Sequence, residues 1–368
     1  MNNVVKNNVA DTGCTIIIPT YNRPDYLRRT ISYYNEHEGY RNVIVADSSS
    51  TDNKETNKKF ISSISSSNIF YVSYPQEINP FHKFADALKY VNVRYCVICA
   101  DDDFITPNGI NQSVDFLESN PDFAIAHGRY ISFWLEGRKN GQYFCWQPTY
   151  SPLSITFDHP EQRLAYHLSN YYTPTFYAVH RTALLRLILE ETLKAKLDTL
   201  WFSELLVSML AVLYSKTKHL DVLYAGRDAD SIRSVHWPTL ADLIRAGTYD
   251  IDYGRFRDCL AIHLSNNSQL DVLSSEKVVD EAMSAYTKKY YYPSKSKIRY
   301  ISSRMGRILD YLNLPDWLDR GIRRSYSRLA GSRYAEKDFI DMSPSSKYYD
   351  DFNRIRQHVL ASSGISAK

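Results

Sequence analysis

Tyr95-Cys96-Val97-Ile98-Cys99-Ala100-Asp101-Asp102-Asp103 is the stretch on which the fold turns. Its apolar half reads as a fully buried strand, and three consecutive carboxylates stand at that strand's carboxyl end. Like charges at the tip of an apolar run repel one another and are costly to bury. Either they solvate as a turn and cap the helix that starts near Pro107, or a cation compensates them. Hard divalent cations such as Mg2+ and Mn2+ prefer carboxylate oxygens and often bring a phosphate with them.

Upstream, Cys14-Thr15-Ile16-Ile17-Ile18-Pro19-Thr20-Tyr21-Asn22-Arg23-Pro24 gives a second buried strand, stopped by its proline and asparagine. Pro24 suits the first turn of a helix, which Tyr26, Leu27, Ile31 and Tyr34 continue at helical spacing. Another strand, Asn42 to Ala46, ends in Asp47-Ser48-Ser49-Ser50-Thr51-Asp52. A further one, Ile69 to Val72, precedes a helix with Phe81, Phe84, Leu88 and Val91 on one face. Strand and helix in alternation predict an α/β fold, a mostly parallel sheet with ligands at the carboxyl ends of its strands. Thr20, Asp47 and the aspartate triplet then share one edge.

Taken in order, these segments resemble the inverting family-2 glycosyltransferases with the GT-A fold, over residues 13 to about 235. Ile16 to Pro24 is similar to that family's opening strand and nucleotide-binding loop, which implies donor-binding roles for Pro19, Thr20, Tyr21 and Arg23. Asp47 to Asp52 is similar to its Asp-Asp-Gly-Ser-Thr-Asp segment, whose first aspartate contacts the nucleobase; that position is Asp47. Asp101-Asp102-Asp103-Phe104-Ile105-Thr106-Pro107 looks like the metal-binding Asp-X-Asp motif with its trailing proline. Ser48 and Ser49 depart from the family pattern, and so does Ala100 if the register is anchored on Pro107. The carboxylate pair is therefore Asp101 with Asp103, or Asp102 with Asp103. Asp103 is the expected direct metal ligand, with Asp101 and Asp102 reaching ribose or the metal through water. The resemblance implies a Rossmann-like GT-A sheet, a nucleotide-sugar donor (a UDP-sugar), Mn2+ or Mg2+, and inverting hexosyl transfer to a glycan hydroxyl.

Such a reaction releases a diphosphate whose charge must be stabilised. A carboxylate-held metal does so as a Lewis acid, and basic side chains can share the load. Lys83 is one candidate, with a solvated surface cation as the alternative reading. Arg227 and Arg233 are others, in the polar segment Ala225 to Arg233, which reads as a loop behind the strand-like Leu220 to Tyr224. His236 joins Asp103 and Asp101 as a candidate metal ligand, and His236 with Trp237 can contact the donor. Inversion also needs a general base. The family's base position falls on Glu204 at the start of a helix through Leu205, Leu206, Met209, Val212 and Leu213, where the helix dipole would favour the ionised carboxylate. Asp198 is the competing candidate.

With 368 residues, 44% of them hydrophobic, the chain has ample material for a sizeable core. The expected division is a frayed 1–12, a catalytic domain over 13–237 and a helical, basic, Tyr-rich region over 238–368. No apolar run spans a bilayer and the N-terminus has no signal-peptide core, so the expected location is cytoplasmic. Five cysteines, an odd number, suit small core residues in a reducing compartment, and Cys96-x-x-Cys99 lacks the second pair that a zinc site needs. Between Lys288 and Arg333 twelve Lys or Arg face three Asp, beside an apolar helical face of Ile298, Ile301, Met305, Ile308, Leu309 and Leu312. Such a helix can lie on an anionic membrane surface at the inner leaflet, which would suit a lipid-linked acceptor, or pack on the catalytic domain. It carries no nucleic-acid-reading motif. Acceptor recognition is expected in Tyr171 to Phe176 and the helical tail; oligomeric state leaves no trace in the sequence. Two other classes stay open: a non-catalytic nucleotide- or glycan-binding module, and an Asp-dependent phosphotransferase, against which Ile105 stands where Thr or Val is wanted.

Overall fold

The structure, a computed structural model, describes residues 13–36, 42–64, 67–138, 141–149, 153–170, 175–230, 240–290 and 341–363. Strand β1 (Cys14–Thr20) runs between β2 (Asn42–Asp47) and β4 (Tyr95–Ile98), with β3 (Ile69–Ser73) outside β2, all parallel. Ile16 and Ile18 face one side of the sheet and Ile17 the other, and all three are inaccessible to solvent. That two-sided burial is why the strand reads as an unbroken apolar run. Helices α1 (Pro24–Asn35), α2 (Thr51–Ser63) and α3 (Pro80–Ala87) make the crossovers. The helix expected through Val91 breaks after Ala87 into a 3-10 turn, Leu88–Tyr90.

Beyond β4 the sheet becomes mixed. Among the described residues it has nine strands in the order β3-β2-β1-β4-β8-β6-β9-β5, with β7 paired on β6. β8 (Val179–Arg181) is antiparallel to β4 and β6. The long β6 (Phe123–Arg138) runs parallel to β9 (Lys216–Asp228) and antiparallel to β7 (Gly141–Pro148). Two-residue β5 (Phe104–Ile105) pairs with Gly226 and Ala225 of β9. The segment Ala225 to Asp228, expected to be loop, therefore continues a strand. Between β5 and β6 lies α4 (Pro107–Ser119); α5 (Pro160–Ser169) follows β7 and α6 (Thr182–Lys194) follows β8.

One face of the sheet is covered by α3, α5, α6 and α7 (Leu200–Tyr214), the other by α1 and α4. Downstream come α8 (Leu240–Arg245), α9 (Tyr249–Asn267) and α10 (Val272–Tyr290). Phe256, Leu260 and Leu264 of α9, with Val279, Ala282 and Met283 of α10, are buried in the same core as Leu206, Met209 and Leu210 of α7. The core thus runs without a break across the boundary expected near residue 237. The last helix, α11 (Tyr349–Ser362), returns to the opposite face, where Ile355 and Val359 join the core of β1 and α1. Asp221 of β9 fastens this return, accepting from Arg129 Nε at 2.6 Å, Lys347 Nζ at 2.5 Å and Tyr348 OH at 2.5 Å. The amphipathic basic helix expected over residues 298–312 lies outside the described residues. No described helix is long and apolar enough to cross a membrane.

Candidate active site

The parallel register sets Thr20 beside Asp47, and β4 ends next to β1, so the chain delivers the aspartate triplet to the same edge. The aspartates do not cap the following helix. Thr106 does, its Oγ1 accepting from Gly109 N at 3.0 Å, with Pro107 in the first turn. Asp101, Asp102 and Asp103 are instead 4%, 6% and 4% exposed, so each needs a partner. Asp101 Oδ2 accepts from Thr20 Oγ1 at 2.7 Å, and its Oδ1 lies 3.5 Å from Arg23 Nη1. Asp102 Oδ2 accepts from the same Arg23 nitrogen at 2.6 Å. Asp103 Oδ2 accepts from Arg227 Nε at 3.1 Å, and its Oδ1 from the Asp228 backbone N–H at 3.0 Å. Burial raises the pKa of Asp101, Asp102 adds to the rise, and Thr20, Arg23 and Lys83 oppose it. Asp103 is likewise pushed up by burial, with Arg227 and the Asp228 N–H pulling it back. The cluster favours added positive charge, whether a proton or a metal ion.

Beneath the triplet, Arg29 Nη2 donates to Asp102 O at 2.6 Å and to Asp228 Oδ2 at 3.0 Å. Its guanidinium lies 5.0 Å from the Tyr26 ring centroid, 5.2 Å from that of Phe104 and 5.7 Å from that of Phe133. The cation is held by aromatic faces and a buried ion pair, which ties α1 to the end of β9. Neither Arg29 nor Asp228 stands out in the sequence as a site residue. Asp228 lies in the polar segment already singled out for Arg227, and its charge at a strand end was the available signal. Arg29 has none, because its neighbour Arg28 carries the same side chain and merely packs on Phe60.

Lys83 is not a surface cation. At 4% exposure its Nζ donates to Ser48 Oγ at 2.8 Å and Thr20 O at 3.2 Å, joining the ends of β1 and β2. Burial lowers its pKa to about 8, against the pull of Asp101 and Asp47. Asp47 is fully buried and committed to local structure. Its Oδ1 accepts from Ser49 N at 2.7 Å, its Oδ2 from Tyr71 OH at 2.7 Å and Asn57 Nδ2 at 2.8 Å. Asn22, at φ 56°, adopts the left-handed conformation that asparagine tolerates best among residues with a side chain. There its N–H donates to Ser49 Oγ at 2.8 Å and its Oδ1 accepts from Ser50 N at 2.8 Å, locking the two strand-end loops together. Tyr21, half exposed at this rim behind Pro19, has its hydroxyl 3.3 Å from Gln76 Nε2.

The opposite wall is α7, pinned at both ends. Asp252, fully buried, accepts from Asp198 N at 2.9 Å and Thr199 N at 2.8 Å, taking two N–H groups at its N-terminus. Arg163 takes two carbonyls at the other end, Val212 O and Leu213 O, both at 2.7 Å. Glu204 lies in the second turn, not the first, so the helix dipole does not govern it. Burial raises its pKa instead, opposed by Arg227, the cation that also pairs with Asp103. Arg227 also sits over the Tyr177 ring, 5.0 Å from its centroid. Asp198 turns elsewhere: its carboxylate, largely exposed, pairs with Arg255 of α9 at 3.0 Å. The structure therefore groups Glu204, rather than Asp198, with Arg227 and the triplet.

Residues 15–187 match the family model described as Glycosyl transferase family 2. The match makes this part of the chain similar to that family, over just under half of the 368 residues. That part contains Thr20, Arg23, Asp47, Lys83 and the triplet; Glu204 and Arg227 follow it. No curated protein matches the sequence. Among solved structures the chain is similar to residues 1–349 of S. aureus TarS, at 14% identity and a TM-score of 0.47, over 97% of this chain and 93% of that one. The same S. aureus protein crystallised with UDP-GlcNAc gives a TM-score of 0.48 at the same identity and coverage.

The donor set of the triplet fits Mn2+ or Mg2+. These hard ions are commonly held by one or two carboxylates together with substrate phosphates, and Asp103 with Asp101 supplies such a pair. Among the described residues no three His, Cys, Asp or Glu side chains are placed to hold a metal by themselves, so phosphate oxygens would complete the shell. Arg233 and His236 fall on residues 231–239, outside the described residues.

Proposed function

We propose that the protein is a metal-dependent, inverting glycosyltransferase that moves a hexosyl group from a nucleotide-sugar, a UDP-sugar, to a hydroxyl of a glycan. The observation that supports this reading most is Arg227, which pairs with Asp103 Oδ2 at 3.1 Å and also pulls on the Glu204 carboxyl, at the carboxyl edge of the sheet. A raised carboxyl pKa makes Glu204 a stronger base than a surface glutamate, suited to take the acceptor hydroxyl proton. Thr20, Tyr21, Arg23 and Lys83 line the donor side with Asp101 and Asp102 beneath, and Asp47 holds the loop that would frame the base. Divalent metal, when bound at Asp103 with Asp101, would supply Lewis-acid stabilisation of the departing diphosphate. Arg227 and Arg23 stand ready to share that charge. Arg233 is proposed as a further donor contact and His236 as a further metal ligand; both lie outside the described residues. Residues 13–237 would form the catalytic domain and 238–368 a supporting region, with the basic stretch up to Arg333 as a candidate contact for an anionic membrane face where a lipid-linked acceptor waits.

The test is a thermal-shift panel of UDP, GDP, dTDP and CMP, each with Mn2+ and with EDTA. A ligand that binds the folded state raises its melting temperature by mass action. The reading expects stabilisation by UDP, abolished by EDTA and by Asp103→Ala. Equal silence from every nucleotide would reject it.

A further inference from the structure

The sheet does not stop at Arg227. Past it β6 and β7 run on as a two-stranded hairpin, with Ser132 opposite Gln147, Trp134 opposite Cys145 and Glu136 opposite Tyr143. β6 and β9 pair Ser132 with Arg227 and Phe133 with Asp228, with no register shift after Tyr130. Residues paired across strands share a face, and the faces alternate along each strand. Phe133 and Asp228 therefore lie on the α1 side, where Arg29 meets both. Phe144 stacks on Phe133 there at 5.5 Å between ring centroids, and Phe144 and Trp146 both meet Phe352 of α11. That face holds the hairpin in the fold. The other face carries Ser132, Trp134, Glu136, Tyr143, Cys145 and Gln147 beside Arg227, the cation on Asp103 Oδ2. Two contacts bear out the sidedness: Ser132 Oγ and Thr149 Oγ1 are 2.5 Å apart, and Cys145 Sγ donates to Glu136 Oε2 at 3.3 Å. Tyr143 is 42% exposed, Gln147 is exposed and Trp134 is half-buried. Among the described residues Trp134 packs against none of the three apolar cores, unlike Trp146.

The solvent side of a hairpin is ordinarily polar, and two large aromatic side chains on it are not needed for the fold. Aromatic rings interleaved with an amide and a carboxylate suit a sugar, whose ring C–H face is apolar and whose rim is hydroxyl. Position agrees. At ~3.4 Å per residue, Trp134 stands about 7 Å and the Glu136–Tyr143 pair about 14 Å past Ser132, room for more than one sugar ring. Asp47, at the proposed nucleotide end on β2, is four strand positions from β6, about 19 Å at ~4.8 Å per strand. Leu135 N donates to Asp230 Oδ2 at 3.3 Å, which ties the hairpin to the segment that carries Arg227. We propose that this face of the β6–β7 hairpin is the acceptor subsite, a platform on which a glycan chain lies with sugar rings stacked on Trp134 and Tyr143 and a hydroxyl bonded to Gln147. The end of that chain nearest Arg227 presents its hydroxyl where Glu204 also feels that cation. The inference rests on the glycosyl-transfer reading and deepens it: the acceptor is an oligosaccharide, and it approaches from the side of the sheet away from the nucleotide.

The test is capture of the full chain, with UDP and Mn2+ present, on an array of defined oligosaccharides of graded length, followed by titration of the glycan that wild type binds best. Affinity should rise with length beyond a single ring. Trp134→Ala should weaken binding about tenfold or more, the loss of one aromatic anchor. Gln147→Ala should weaken it by a few-fold, the loss of one hydrogen bond. Trp146→Phe, on the covered face, should bind as wild type does. Stabilisation by UDP, read by thermal shift on each variant, should persist throughout. Should Trp134→Ala fail to fold, Tyr143→Ala and Gln147→Ala, both at exposed positions, carry the test. Glycan capture indifferent to all three residues, or capture of no glycan on the array, overturns the inference, and an intact UDP shift then leaves the transfer reading standing. Trp134-dependent capture without any response to UDP rejects that reading and the acceptor role with it. A concentration-dependent dimer that Trp134→Ala dissolves would assign the face to a second copy of the chain and overturn the inference as well.

Discussion

Replacing Asp252 by alanine should cost more than any surface substitution in this protein. The carboxylate is fully buried and accepts from Asp198 N at 2.9 Å and Thr199 N at 2.8 Å, both at the mouth of α7. A hydrogen bond to a charged acceptor contributes about 1.5–3 kcal/mol, and two such bonds sum to about 3–5 kcal/mol once their partial redundancy is allowed for. The loss is not offset by water, because the position is closed by Arg255, 3.9 Å away, and by the helix itself. Asp252→Asn keeps one accepting oxygen and should cost about half as much. Urea unfolding checks this, with the midpoint shift read at an unchanged slope. An Asp252→Ala variant within about 1 kcal/mol of wild type would refute the view that this residue anchors α7, and with it the argument that Glu204 is held on a rigid helix.

Glu204→Gln should lower kcat by two orders of magnitude or more, in the usual range for a lost general base, while leaving UDP affinity unchanged; a nucleotide titration beside steady-state rates checks both halves. Because burial raises the Glu204 carboxyl, the wild-type rate should fall on the acid side above the ordinary carboxylate range, and the pH–rate profile measures that limb. Gly128→Ala should destabilise by about 2 kcal/mol or more, since a Cβ there would lie 2.5 Å from Val222 O where β6 and β9 slip register; thermal melts test it. Burial holds the histidines down, His167 to about 3 and His180 to about 4. Below the ordinary histidine range the unfolded chain binds more protons than the folded one, so stability is complete above about pH 6.5 and drains away as pH falls towards 4. Each histidine contributes a slope of about 1.4 kcal/mol per pH unit, and the midpoint of urea unfolding followed from pH 7 to pH 4.5 reads it.

What the sequence disclosed follows from how local each signal is. β1, β2 and β4 are buried on both faces, so their composition alone marks them, and the triplet betrays itself by putting three charges where an apolar strand ends. The long hairpin of β6 and β7 left no such mark because much of it is only partly buried, and the pairing of β9 with β6 left none because the two strands are remote in sequence. Site residues divide in the same way. Thr20 and Asp101 were readable from strand-end position. Arg29 was not, since its bond to Asp228 joins positions 199 residues apart and nothing in α1 distinguishes it from Arg28. Lys83 read as a surface cation before a site residue, because a single buried lysine on an amphipathic helix has the pattern of a solvated one. Glu204 was placed one helical turn too early, at the dipole end of α7, when Thr199 in fact starts the helix.

The unbroken core shared by α7, α9 and α10 sets a lower bound on the piece of this protein that can be cut out and still work. A fragment stopping after the last strand would strip Phe256, Leu260 and Val279 from the flank of the helix that carries Glu204, and would take Asp252 away from that helix's first turn. The bared flank would be a continuous oily surface, prone to self-association. Deletion series, chimeras and fusion junctions therefore cannot cut before the end of α10, even though every residue proposed to touch donor or metal lies well before it, and a cut there would still take Ile355 and Val359 of α11 from the opposite face.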